Sequence, residues 1–291
     1  MPNKKKKWLL LFVVFVLIFG VCAFIFVRSQ VIKHKAEAQY KEVIEEVNDI
    51  KDTEAISEKQ EQSEEDGTAN MSLKDMLEVS EPDPLEGIEI PEKDINWDDL
   101  CSTNPDIYAW IYIPDTKVDY PILQHESDDS FYLNHNLDLS KGNPGCLYTE
   151  KTYNSKDFTD KNTVVYGHNM KDGSMFGTLH RFDDSEFAQS DKYIYVYHEN
   201  EVLVYKVFGA YEFPSKHILW SYDFTNEYVF EDYIKEIYSL EENSKRYVCL
   251  RHDVDVNKDD KVITLSTCTL DSSNDYRYIV SGVLLGIKQV E

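Results

Sequence analysis

The chain has 291 residues, enough for one large domain or two small ones, and carries 54 acidic against 30 basic side chains for a formal net charge of −24. So acidic a balance repels phosphate backbones, which excludes nucleic acid as a partner. None of the five cysteines forms a CxxC pair or stands at zinc-ligand spacing from a histidine, so neither a metal nor a disulfide framework is expected, and no cofactor either.

Four lysines, Lys4 to Lys7, precede an uninterrupted apolar run over residues 8–27. Its length suits a bilayer span, and it ends at Val27-Arg28 without an A-x-A-like cleavage site, so it reads as a retained anchor. The lysines make residues 1–7 a cytoplasmic tail and place the rest of the chain outside the cell. Residues 28–91 read as an acidic helical stalk and linker. Within them Tyr40, Val43, Ile44, Val47 and Ile50 recur at helical spacing over residues 36–56. Residues 54–70 are almost wholly polar and read as a flexible spacer. Pro82, Pro84, Gly87 and Pro91 then break the chain before a domain over residues 92–291.

That domain is rich in tyrosine and phenylalanine, which favour strands. A short helix is expected over residues 96–101. Strands are expected over residues 109–113, 118–123 and 163–166. Residues 193–197 and 202–210 form a hairpin through His198-Glu-Asn-Glu201. Residues 225–240 carry Val229, Phe230, Tyr233, Ile234, Ile237 and Leu240 on one helical face. Two further strands, residues 261–268 and 277–285, flank a turn-rich segment. Many short strands joined by turns predict a mainly β fold, a closed or nearly closed barrel.

The segment Thr264-Leu-Ser-Thr-Cys268, with Arg277 nine residues later, carries the chemistry. If the last two strands form a hairpin, Cys268 and Arg277 face each other across one strand spacing of ~5 Å. A thiol beside a permanent guanidinium charge is suited to attacking a carbonyl and holding the oxyanion that results. His168, just past the strand that ends at Tyr166-Gly167, is the candidate proton carrier. Ser266, Thr267 and Tyr166 are candidate substrate contacts, with barrel lining or core packing as the competing reading. His125, His135, His180, His198, His217 and His252 read as solvated surface histidines. Cys101, Cys146 and Cys249 read as small buried hydrophobes. Residues 253–259 alternate oxygen-bearing side chains as a calcium loop does. Lys258 and Thr264, however, replace the expected glycine and glutamate, so a solvated acidic loop is the default.

These parts together resemble the sortases, membrane-anchored cysteine transpeptidases of Gram-positive bacteria. The resemblance rests on Thr264-Leu-Ser-Thr-Cys268 with Arg277, and on His168 within Tyr166-Gly-His-Asn169. The helix in the long connection before the cysteine strand, with Phe131-Tyr-Leu-Asn-His-Asn136, is similar to class B. The resemblance implies an eight-stranded barrel with an N-terminal helix and an extra helix before the catalytic strand. It implies that Cys268 forms a thioacyl enzyme at a threonine, that Arg277 stabilises the oxyanion and that His168 moves protons. It also implies two partners: secreted proteins bearing a C-terminal sorting signal, and an amine acceptor such as a peptidoglycan precursor. A hydrolytic cysteine protease and a non-catalytic anchored binding module are the rival readings. The sorting pentapeptide and the acceptor are not legible in the sequence.

Overall fold

The computed structural model describes residues 3–48, 83–271 and 274–290. Ile50, the polar spacer over residues 54–70 and the break at Pro82 lie outside the described residues.

Nine strands form one sheet: β1 (Ile107–Tyr112), β2 (Asp119–Leu123), β3 (Leu147–Tyr148), β4 (Asn162–Tyr166), β5 (Tyr193–His198), β6 (Glu201–Pro214), β7 (Val248–Leu250), β8 (Val262–Cys268) and β9 (Tyr276–Gln289). Their order is β5-β1-β2-β3-β4-β8-β9-β6-β7, and β6 also pairs with β5. That extra pairing closes eight strands into a barrel, with β7 as a flap along the far half of β6. The pairings β2–β3 and β4–β8 are parallel and the others antiparallel, so the barrel is mixed. The expected β5–β6 hairpin turns through Glu199 at φ 48°, a left-handed position suited to a two-residue turn.

From Val262 to Thr267 every residue of β8 is buried, so this strand has no solvent face. Two apolar bodies account for that. One holds Trp110, Ile122, Val165, Tyr205, Leu265 and Tyr278. The other lies under α5 (Glu227–Asn243), whose Phe230, Tyr233, Ile234 and Ile237 pack on Val164, Phe208 and Ile279. Asn226 caps α5 by accepting from the Tyr228 amide. Short helices α2 (Trp97–Thr103), α3 (Ser185–Gln189) and α4 (Ile218–Ser221) complete the body.

The first helix, α1 (Asn3–Asn48), is continuous. Its N-terminal part is apolar and long enough to cross a membrane, and that window is unburied. The helical periodicity expected beyond it is present, and its apolar face is docked. Ala36, Tyr40, Val43 and Val47 are all buried. The Tyr40 hydroxyl donates to the Gly145 carbonyl at 2.8 Å, and Lys33 and Lys35 reach Asp172 and Asp138. This part of the segment read as a stalk therefore belongs to the folded body.

Candidate active site

The parallel ladder between β4 and β8 ends at Tyr166 opposite Ser266, and the Gly167 amide extends it by donating to the Ser266 carbonyl at 3.1 Å. On the other side of β8, Cys268 pairs in register with Arg277 of β9. Two pairings of one strand thus bring His168, Cys268 and Arg277 to the same rim. All three line one cavity of about 300 Å³, together with Ser266, Thr267 and Tyr166. The structure brings together every site residue expected from the sequence.

Gly167 has a steric reason to precede His168. A Cβ there would lie 2.3 Å from Leu147 Cδ2 and 2.7 Å from Phe176 Cδ2. The chain can turn from strand to rim only against those two side chains. The His168 carbonyl accepts from the Phe176 amide, and its Nε2 lies 2.6 Å from the Leu133 carbonyl. A carbonyl only accepts, so Nε2 carries the proton of that bond. Cys268 is exposed. Arg277 Nη1 donates to the carbonyl of Tyr276 at 2.8 Å, one of the five N–H donors of its guanidinium.

Ser266 is buried and borders the cavity. The Thr267 hydroxyl is buried with no hydrogen-bond partner among the described residues. Tyr166 borders the cavity and stacks on Tyr148, with ring centroids 5.4 Å apart. Burial raises its hydroxyl far above the usual tyrosine range, and the nearby Glu150 carboxylate adds to the effect.

Four polar residues in or beside the site were given no role there from the sequence. Glu150 borders the cavity beside His217, with Nε2 to Oε2 at 3.0 Å. Burial lifts the Glu150 carboxyl above its ordinary range and outweighs the opposing pull of His217. Asn169 Nδ2 donates to the Cys268 carbonyl at 3.0 Å, and His180 Nε2 lies 3.1 Å from that same oxygen. The reading of His180 as a solvated surface residue is corrected, since its side chain is only 8% exposed. The one sequence signal was Asp183 three residues on, a spacing that lets an acid meet an imidazole within a helical turn. His217 caps α4, with Nδ1 accepting from the Trp220 amide.

The expectation of three buried cysteines is also revised. Cys101 is exposed and Cys249 half-buried, while Cys146 is buried as expected. In the acidic loop over residues 253–259, Asp253 is held by the buried Arg251, Asn257 Oδ1 accepts from the Asp259 amide, and Lys258 pairs with Asp259.

A sortase-domain family model matches residues 111–285. The chain belongs to the sortase family. It is 35% identical over 192 residues to sortase B of Listeria monocytogenes, covering 64% of this chain and 73% of that protein. Sortase B of Staphylococcus aureus is 28% identical over 172 residues. Among solved structures, Clostridium perfringens sortase B superposes with a TM-score of 0.55 at 30% identity, covering 64% of this chain and 98% of that one. A Staphylococcus aureus sortase B–substrate complex superposes at 0.53 with 27% identity, covering 67% and 85%. This sortase is thus of the class B type, with the mixed eight-stranded barrel expected for it, and sortases are cysteine transpeptidases.

Proposed function

We propose that this sortase is held in the membrane by residues 8–27, with residues 1–7 in the cytoplasm and the domain over residues 92–291 outside. There it joins secreted proteins to a cell-wall amine. Cys268 Sγ gives its proton to His168 Nδ1 and, as the thiolate, attacks the carbonyl carbon of a threonine in a C-terminal sorting signal, while Arg277 donates hydrogen bonds to the oxygen that becomes negative. The C–N bond breaks as His168 protonates the departing amine, leaving a thioester on Cys268. An incoming amine then attacks, gives a proton to His168 and expels the thiolate, forming a new amide. Because His168 Nε2–H is directed at the Leu133 carbonyl, Nδ1 holds the lone pair available for proton exchange. Ser266, Thr267 and Tyr166 border the path of the peptide.

The convergence of Cys268, His168 and Arg277 on one cavity supports this reading. Fluorogenic peptides bearing threonine-containing sorting motifs test it, with products analysed in the presence and absence of an amine nucleophile. Amide product formed only with amine present is the expected result, whereas hydrolysis at an equal rate in both cases would indicate a protease. Cys268→Ala should abolish turnover. Arg277→Lys should lose most of it, because an ammonium cannot reproduce the planar fork. Wild-type turnover in either variant would overturn the assignment.

A further inference from the structure

We propose that His180, oriented by Asp183, is a positioning residue that locks the spacing between Cys268 and His168. The inference rests on the roles given above to those two residues.

The backbone ladder that aligns β4 with β8 runs out at the Gly167 amide. Beyond it, His168 and Asn169 are tied to Phe176 and Met175 but by no further backbone bond to Cys268. Side chains take over at that point. Asn169 Nδ2 lies 3.0 Å from the Cys268 carbonyl oxygen and 3.1 Å from His180 Nε2, and the Nε2-to-oxygen contact of 3.1 Å joins two acceptors that share this one donor group. The Asn169 amide has two N–H groups, which satisfy the Cys268 oxygen and the His180 lone pair at once. That division needs the His180 proton on Nδ1, and Asp183 Oδ2 stands 3.3 Å from Nδ1 to accept it. The ring is wedged against Tyr278, with centroids 4.1 Å apart, and Tyr278 is the partner of Thr267 in the β8–β9 ladder. His180 is therefore seated on the strand pair that presents the thiol and the guanidinium, while its Nε2 orders the amide adjacent in sequence to His168.

Asn169 and Cys268 are the immediate handles of the two reacting side chains. A shift of either by a fraction of an ångström changes the nucleophile-to-base geometry without touching the peptide groove. The rate of the chemical step should therefore suffer while binding does not.

The test uses the full chain in detergent and a sorting-type peptide. His180→Ala is expected to lower kcat by about tenfold or more while KM stays within about twofold. His180→Gln, whose amide oxygen can still accept from Asn169, should recover most of that loss. Asn169→Ala should resemble His180→Ala, and the double variant should be no worse than either single one, because both remove the same link. Thermal melting separates this effect from general unfolding. Wild-type kcat in His180→Ala, a loss confined to KM, or equal impairment of His180→Ala and His180→Gln would overturn the proposal. So would full additivity in the double variant. Cys268→Ala is run alongside. If it is inactive while His180→Ala turns over normally, only the positioning role fails; if it retains turnover, the site assignment fails with it.

Discussion

Removing the Tyr40 side chain tests whether α1 is part of the catalytic body. Tyr40 is 5% exposed, meets Tyr120 edge-on at 5.6 Å and donates its hydroxyl to the Gly145 carbonyl at 2.8 Å. Tyr40→Phe keeps the ring and leaves that carbonyl without its donor, at a cost of about 1–2 kcal/mol. For a domain of this size each kcal/mol moves the melting temperature by about 2–4 °C, so a fall of roughly 2–8 °C is expected. Tyr40→Ala also empties the ring's site, which would cost about 3–5 kcal/mol if the helix stayed in place. The observable loss is capped by the free energy of docking itself, because beyond that limit α1 detaches and the barrel melts alone. Differential scanning calorimetry of the full chain in detergent measures both variants. Limited proteolysis reports detachment as new cleavage between Lys33 and Asn48. Activity should fall as well in Tyr40→Ala. Gly145 lies against the Tyr132–Leu133 turn so closely that a Cβ would come within 2.7 Å of the Tyr132 carbonyl oxygen, and the Leu133 carbonyl carries His168. Unchanged melting and proteolysis in Tyr40→Ala would show that the helix is not held by this face, and the reasoning would fail.

Gly167→Ala should destabilise the domain and cut turnover more than tenfold, because its methyl meets Leu147 and Phe176 inside contact distance; near-native melting and activity would refute the steric account. Glu150→Gln tests the balance between burial and the His217 pair. The folded state raises the Glu150 pKa, so the wild-type contribution is most favourable below the unfolded value of about 4.3 and is lost as pH rises through the folded value. The variant should therefore melt like wild type near pH 4 and higher at pH 7.5, and a lower melting temperature at pH 7.5 would show that the imidazole outweighs burial. Burial also pushes the Cys146 thiol up to about 12. In native protein at pH 8, iodoacetamide should leave Cys146 unmodified while it alkylates Cys268, as read by peptide mass mapping; equal labelling of the two would contradict the packing around Tyr40.

Sequence legibility followed element length. β8 and the helix expected over residues 225–240 lie within one to three residues of their observed bounds, because each carries a sustained pattern. β3 and β7, of two and three residues, are too short to show any period and were not read. The 3-10 turn Gly177–Asp183 was missed as well, and with it the placement of His180. The cysteine–arginine pairing was legible because a hairpin is local. The β4–β8 pairing was not, since it joins strands almost a hundred residues apart and depends on which edges remain open once the hairpins have formed. On α1 the spacing of Tyr40, Val43 and Val47 announced an apolar face. Periodicity names a face but not the surface that covers it.

The rim divides the labour between backbone and side chains. Cys268 is the last residue of β8 and Arg277 the second of β9, so the ladder itself sets their separation. His168 lies two residues past the end of β4, where the ladder no longer reaches. Its position depends on an amide that binds its carbonyl, a carbonyl that binds its ring and the Asn169 link to Cys268. Each is a single hydrogen bond worth about 0.5–1.5 kcal/mol, far weaker than the cooperative strand pairing beside it. Such a residue can leave Leu133 and turn toward the sulfur at little cost, while thiol and guanidinium hold still. In the mechanism proposed above, a proton carrier that serves first a leaving amine and then an entering one needs that freedom. It follows that substitutions at residues 133, 169 and 180 should alter turnover at smaller losses of stability than substitutions within β8 and β9.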